Sequence, residues 1–292
     1  MLPKVIENKI LEILSAQLKR ELRIFDIQSI SGGSINMAVK VSTKAGNFFV
    51  KWNDAHKYPD MFKKETRGLK LLESTGALKI PKVIGKDEVG EHAFLILEFL
   101  DQGNIHADFW NRFGSSLAKI HQNTHTLFGL DHDNYIGSLY QSNKQHENWI
   151  SFFSEERIQP QLKLAYDSNL LDNTILKAAE RLFKILNGII PIGSPALLHG
   201  DLWSGNFMID SGGNPVLIDP AVYYGHREMD LAMTRLFGGF DQAFYEAYHK
   251  NFPLEKGWEK RLEIYNLYPL LVHVNLFGGN YISQVASILS RF

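Results

Sequence analysis

The sequence predicts an α+β fold of two lobes, a small antiparallel-sheet lobe over residues 1–100 and a mostly helical lobe over residues 101–292. Three observations lead there. At 292 residues the chain is too long for one small core, and it suits two units within the ordinary domain range of about 50 to 250 residues. Short β-type runs fill the first third, whereas the remainder carries apolar residues at helical spacing. Between the two parts, Asp101-Gln102-Gly103-Asn104 follows the apolar run Ala93 to Phe99 as a polar, turn-forming break.

In chain order, Ile6, Ile10, Leu14 and Leu18 recur near helical spacing and predict an amphipathic helix over Pro3 to Leu18. Strands are expected at Ile27 to Ile30, Met37 to Ser42 and Phe48 to Trp52, the last two joined by a turn at Thr43-Lys44-Ala45-Gly46-Asn47. A helix from about Asp60 to Ser74 comes next, then a segment at Pro81 to Ile84 and the strand Ala93 to Phe99. Beyond the break, Phe109, Phe113, Leu117 and Ile120 share one helical face, and Ile175 to Leu186 carries a similar stripe. Asp131 to Asn148 reads as a long polar loop, a feature uncommon unless functional. Gln242 to Lys250 and Trp258 to Phe292 look helical again.

Composition removes several function classes. A formal net charge of −1 gives no basic field for a nucleic-acid backbone. No apolar stretch approaches the roughly 20 residues that cross a bilayer, and the opening residues lack a signal core, so a cytoplasmic protein is expected. The absence of cysteine excludes disulfides, thiolate catalysis and Cys-ligated zinc. No heptad pattern speaks for or against an oligomer.

The densest chemical signal is His199-Gly200-Asp201-Leu202-Trp203-Ser204-Gly205-Asn206, followed by Phe207 to Asp210, a Ser211-Gly212-Gly213-Asn214 turn, and Pro215 to Asp219. It matches the kinase catalytic loop H-x-D-x-x-x-x-N. If Asp210 pairs with Pro215, antiparallel counting sets Asn206 opposite Asp219, so that an amide oxygen and a carboxylate meet at one strand end. Such hard oxygen ligands suit Mg²⁺, which keeps several waters and binds substrate phosphates. Asp201 is then the candidate base that orients an acceptor hydroxyl and takes its proton. Any one of these residues alone also fits an Asx-turn or a strand end; the three together at this spacing point to phosphoryl transfer.

The first lobe is expected to hold ATP. Gly32, Gly33 and Ser34 lie between two β segments, where paired glycines permit close approach to phosphate, though an ordinary hairpin turn fits as well. Lys51 ends the strand Phe48-Phe49-Val50-Lys51 as the phosphate-pairing lysine of kinases does. Glu65 shares an apolar helical face with Met61, Leu69 and Leu72, and a carboxylate facing a core needs a partner; Lys51 is the natural one, with a solvated helix edge as the alternative. Leu97-Glu98-Phe99-Leu100 is the expected adenine hinge, with Glu98 and Leu100 offering backbone groups, although a buried strand fits the same letters.

The run His199 to Asn206 and the run Asp219-Pro220-Ala221-Val222-Tyr223-Tyr224-Gly225-His226-Arg227-Glu228-Met229-Asp230-Leu231-Ala232 resemble the fructosamine (ketosamine) kinase signature, within the protein-kinase-like superfamily. Weaker similarity covers Asn134-Tyr135-Ile136-Gly137, Trp149 to Gln161 and Leu276-Phe277-Gly278-Gly279, so it spans essentially the whole chain. The resemblance implies transfer of the ATP γ-phosphoryl group to the 3-hydroxyl of a sugar held as a ketosamine, an unstable product and deglycation repair. A kinase of another small acceptor, such as an aminoglycoside or amino alcohol, shares the looser motif, and a pseudokinase would share the fold. For the acceptor, Trp203 is the first candidate, since its face could lie against a sugar or amine, while a core Trp is the alternative. His226 and Glu228 follow Asp219 on a loop expected near the cleft, and Glu228 could attract a secondary amine. Arg227 and Asp230 fit an ion pair or a helix cap. His273 and Asn275 could face the cleft too, but in an apolar helix a histidine is more often a satisfied core residue, and they are not taken as candidates.

Overall fold

The large sheet comes from the first third of the chain together with two helices, and the other helices come from the rest. The computed structural model describes residues 2–30 and 35–292. Five antiparallel strands, β1 (Ile24–Ile30), β2 (Met37–Thr43), β3 (Gly46–Asp54), β4 (Val83–Val89) and β5 (His92–Glu98), form one sheet in the order β1-β2-β3-β5-β4. Helix α1 (Lys4–Leu18) covers one face with Ile6, Ile10 and Leu14, which pack on Val39, Val41, Val50, Trp52, Phe94 and Ile96. Because strand side chains alternate, Lys51 between Val50 and Trp52 must point to the opposite face, where Leu95 and Leu97 join a second core. Helix α2 (Met61–Glu73) lies on that side through Phe62, Leu69 and Leu72.

The helical lobe follows. It contains α3 (Phe109–His121), α4 (Trp149–Phe152), a π-helical stretch Phe153–Ile158, α5 (Gln159–Asp167), α6 (Asn173–Ile189), α7 (Glu228–Leu236), α8 (Gln242–Asn251), α9 (Trp258–Phe277) and α10 (Asn280–Leu289). Three small hairpin-like pairs are set among them: β6 (Asn134–Ile136) with β7 (Leu139–Gln141), β9 (Phe207–Ile209) with β10 (Pro215–Leu217), and β8 (Ala196–Leu198) with β11 (Tyr223–Gly225). No helix among the described residues is long and apolar enough to cross a membrane.

Two expectations need correction. The stretch Asp131 to Asn148 is not one loop, since it carries the β6–β7 hairpin on buried amides of Asn134, Gln141 and Asn143. The final helical run is two helices, because Gly278 and Gly279 take φ of +64° and +63°, which breaks α9 from α10.

Helices α3 and α8 approach closely at Gly114, where an added Cβ would overlap the Phe244 carbonyl oxygen. Gly114→Ala improves helix propensity by about 1 kcal/mol, yet the backbone overlap costs more, so a net loss of about 2 kcal/mol is expected in chemical denaturation. An unchanged or raised midpoint would show that the helices can move apart at no cost.

Candidate active site

The loop from His199 to Asn206 leaves β8 and enters β9, and its backbone is held from below by one carboxylate. Asp230, in the first turn of α7, accepts from the His199 N–H through Oδ2 at 2.8 Å and from the Gly200 N–H through Oδ1 at 2.9 Å. His121 Nε2 donates to the same Oδ2 at 3.1 Å, and the Tyr248 hydroxyl donates to His121 Nδ1 at 2.7 Å. His199 and Asp230 are buried, so these bonds form away from water. Gly200 has φ of +83°, and a Cβ there would overlap the Ala221 carbonyl oxygen, so no other residue fits this corner. Asp230 therefore neither pairs with Arg227 nor caps its helix. Arg227 donates instead to the carbonyls of Phe252 and Pro253.

On this support, Asn206 Nδ2 donates at 2.8 Å both to the Asp201 carbonyl and to its Oδ2. Burial pushes the Asp201 carboxyl up to about 7, against the opposing pull of that amide. The hairpin register differs by one residue from the count above. Asp210 pairs with Asn214, not Pro215, because Ser211, Gly212 and Gly213 form a three-residue loop with Gly213 at φ +71°. Asp210 Oδ1 fixes that loop by accepting from the Gly212 and Asn214 N–H groups. Consequently Asn206 opposes Ile218, whose N–H it accepts at 3.1 Å, and Asp219 comes one residue later with φ of +50°.

Asp219, Lys51 and Glu65 meet. Lys51 Nζ lies 2.5 Å from Asp219 Oδ1 and 2.8 Å from Glu65 Oε1, and hydrogen-bond geometry is met only at Asp219. Burial alone would lower the Lys51 ammonium, but the two carboxylates outweigh it and hold the group above its usual range. Burial likewise acts to raise both acids. It wins at Glu65, whereas at Asp219 the ammonium prevails and the carboxyl is held below its usual range. Helix α2 reaches this position through Gly68, where a Cβ would stand 3.0 Å from a Val222 methyl.

These groups line one cleft enclosing about 960 Å³, a volume suited to a nucleotide and an acceptor. At one end it is bounded by Ile30, Ala38, Leu97, Glu98 and Leu100. The Glu98 N–H is spent on the Lys82 carbonyl at 2.9 Å, whereas no donor bond of the Leu100 N–H is made among the described residues. Gly32, Gly33 and Ser34 lie outside the described residues. At the other end Trp203, Phe237, His273, Phe277 and Tyr281 form a run of aromatic contacts with centroid separations of 4.8 to 6.5 Å. Trp203 is 37% exposed, a cleft residue and not a core one.

His226 and Glu228 are not in the cleft. His226 is buried with its ring stacked on Tyr265 at 5.4 Å, and burial pushes it down to about 3. Glu228 is 1% exposed and accepts two Arg261 guanidinium bonds, at 2.6 and 2.8 Å. The chain after Asp219 turns inward to pair as β11 with β8, which carries both side chains into the core. His273 does face the cleft. Its Nδ1 lies 2.7 Å from the Pro269 carbonyl, so the proton sits on Nδ1 and Nε2 is a bare acceptor, with burial holding the ring below its usual range. Asn275 bonds Gln161 and stays in the helix packing. The signal that could have found His273 is its position four residues before Phe277 on a face continued by Tyr281, an aromatic stripe next to the glycine pair.

The model of the fructosamine kinase family matches residues 6–292. A Synechocystis sp. protein named "probable ketoamine kinase" is 40% identical over 281 residues, covering 95% of this chain and 94% of its own. The chloroplastic protein-ribulosamine 3-kinase of Arabidopsis thaliana is 39% identical over 275 residues, covering 92% and 83%. A crystal structure from Haemophilus somnus 129PT, provisionally designated a fructosamine-3-kinase, superposes with a TM-score of 0.88 at 29% identity over 97% of this chain and 96% of that one. An aminoglycoside phosphotransferase shares the kinase-like fold at a TM-score of 0.62 and 15% identity, covering 96% of this chain and 98% of its own. The chain belongs to the fructosamine kinase family and is a phosphotransferase that acts on a hydroxyl group.

Proposed function

We propose that the protein is an ATP- and Mg²⁺-dependent ketosamine 3-kinase in which Asp201 is the base, Asn206 and Asp219 hold the metal, and Lys51 secures the phosphates. The observation that carries this reading is the convergence of Asp201, Asn206, Asp219, Lys51 and Glu65 on one cleft whose far end is aromatic. The oxygen donors fit Mg²⁺. The amide nitrogen of Asn206 is committed to Asp201, which leaves its oxygen for the ion, and the Asp219 side chain is 51% exposed with its lysine bond on one oxygen only. When bound, the ion neutralises charge on the transferring phosphoryl group.

Asp201 takes the proton of the acceptor 3-hydroxyl while the oxygen bonds to the γ-phosphorus. The bond from that phosphorus to the bridging oxygen breaks, and ADP leaves. Asn206 aims the Asp201 carboxylate, and Asp230 fixes the backbone on which it rides. The Leu100 N–H and the backbone around Glu98 are the groups offered to adenine, and Gly32, Gly33 and Ser34 belong to the segment proposed to cover the phosphates. On the acceptor side the Trp203 face packs on the sugar, and His273 Nε2 accepts from one of its hydroxyls. The relatives named for ketoamines and ribulosamines support a ketosamine as that acceptor.

Asp201→Asn should lower kcat by about 10²- to 10⁴-fold with folding intact. Activity within tenfold of the parent protein would remove Asp201 from the role of base. The accompanying test offers Mg-ATP with fructosamine- and ribulosamine-lysine, a glycated protein and an aminoglycoside, and follows phosphorylated product by mass. Phosphate on a ketosamine supports the proposal; phosphate on the aminoglycoside alone contradicts it.

The raised Asp201 carboxyl sets a pH dependence. The base works ionised, so kcat/KM should rise with pH through a midpoint near 7, and saturating divalent cation should move that midpoint lower. A flat profile between pH 5.5 and 8, checked by initial rates at fixed ionic strength, would contradict a titrating base of about this value.

Glu228→Gln separates packing from acceptor recognition. It leaves the Arg261 guanidinium buried without its charge partner, so a stability loss of about 3 kcal/mol or more is expected, with acceptor KM unchanged at a temperature where the variant is folded. A raised acceptor KM with native stability would return Glu228 to the binding site.

A further inference from the structure

Helix α2, which carries Glu65, is gripped by a hairpin that belongs to the other lobe. The Tyr135 hydroxyl on β6 donates to the Pro59 carbonyl at 3.0 Å, just before α2 begins. The Tyr135 ring stands edge-on to Tyr58 at 6.5 Å. Lys64 Nζ lies 4.9 Å from the Tyr135 centroid and 5.4 Å from that of Tyr140 on β7. One turn further along, Arg67 donates to Asp131 at 2.8 Å. These contacts run along a single side of α2, from its start to its middle.

The hairpin is itself firmly rooted. Asn134 Nδ2 donates to the Val222 carbonyl at 2.8 Å, and Gln141 Nε2 to that of Ala221 at 3.2 Å, so its base is bonded to the chain just after Asp219. Tyr268 donates to Gln141 Oε1 at 2.6 Å, Arg157 donates to Asn143 Oδ1 at 2.6 Å, and Asn143 Nδ2 donates to Asn134 Oδ1 at 2.9 Å. All five side chains are buried. Helix α2 packs on the core through Phe62, Leu69 and Leu72, but its own ends and interior give it little local stability. Its Asp60 N-cap takes φ of +58° and makes no side-chain cap bond, and Gly68 sits in its interior at a cost of about 1 kcal/mol relative to alanine.

We propose that the β6–β7 hairpin is the positioning element for the phosphate-binding lysine, with Tyr135 as its main contact: it holds α2 where Glu65 stays on Lys51. The hairpin ties both Lys51 partners to one base, because the chain of Asp219 is bonded to its root and the helix of Glu65 rests on its side. The inference rests on the reading of Lys51 as the lysine that secures the phosphates. Tyr135 and Lys64 also border the cleft, so direct contact with the acceptor is the competing role.

The test measures, on the full chain with Mg²⁺, the affinity of a fluorescent ATP analogue, the acceptor KM and kcat, and hydrogen exchange over residues 59–73. Tyr135→Leu should weaken the nucleotide by about five- to tenfold and speed exchange in α2, with acceptor KM within about twofold of the parent protein. Tyr135→Phe, which keeps the ring and loses only the bond to Pro59, should fall between, and it carries the test if the leucine variant does not fold. Arg67→Asp and Asp131→Arg should each weaken the nucleotide, and their combination should recover part of the loss. Unchanged nucleotide affinity in both Tyr135 variants, or an effect confined to acceptor KM, would overturn the proposal. A parent protein that binds no Mg-nucleotide would instead overturn the reading of Lys51.

Discussion

The structure turns on a buried ammonium shared by two carboxylates. Lys51 comes from β3, Glu65 from α2, and Asp219 from the chain that follows β10, so a single cation joins the sheet, its covering helix and the helical lobe. Each acid is destabilised by burial, which the same lysine outweighs at Asp219 and only partly offsets at Glu65. Removing both carboxylates would leave the Lys51 ammonium buried without a partner, and this makes the arrangement cooperative. Strand alternation places Lys51, helix periodicity places Glu65, and the close approach at Gly68 brings the helix within reach.

A second centre fixes the loop of Asp201, the proposed base, as the Lys51 cluster fixes the side proposed to hold phosphate. Asp230 accepts two consecutive backbone N–H groups and a histidine, so the start of the loop bearing Asp201 is anchored from outside through its main chain. The loop can then spend its side chains on chemistry. Asn206 is bonded to Asp201 and is free to offer an oxygen; Trp203 points into the cleft; His199 closes the corner by donating to Ile218.

How much of this could be read from sequence follows from the distance over which each feature is determined. The spacing of Asp201, Asn206 and Asp219 is local, and periodicity on one strand and one helix sufficed to pair Lys51 with Glu65. The hairpin register was missed by one residue because a glycine at φ +71° shortens the loop, and nothing in Ser211-Gly212-Gly213-Asn214 distinguishes a three-residue loop from a four-residue one. His226 and Glu228 were misplaced because closeness to Asp219 along the chain was taken for closeness to the cleft, whereas β11 carries them inward. His273 was passed over for the converse reason. It enters the site from α9, far along the chain, and only the tertiary contact with Phe237 shows that its face is not a core face. The β6–β7 hairpin was hidden because its strands are three residues each and its stability comes from buried amides, not from an apolar pattern.

The two ends of the cleft are built on different physics, and this bears on what selects the acceptor. At the end proposed to hold phosphate, charges are fixed by bonds to other fixed groups, so on that reading the reacting geometry is set before an acceptor arrives. At the other end, Trp203, Phe237 and Phe277 are 37%, 37% and 57% exposed and offer ring faces. Such faces supply area and attraction for a cation but few directed bonds, so they tolerate variation in whatever extends outward from the sugar. On the proposed reading, discrimination between hydroxyls therefore falls to the few directional groups there, the Asp201 carboxylate and the bare nitrogen of His273. An amine carried by a small metabolite and one carried by a protein surface would then meet the same sugar-reading groups, and differ only in how much of the aromatic rim they cover.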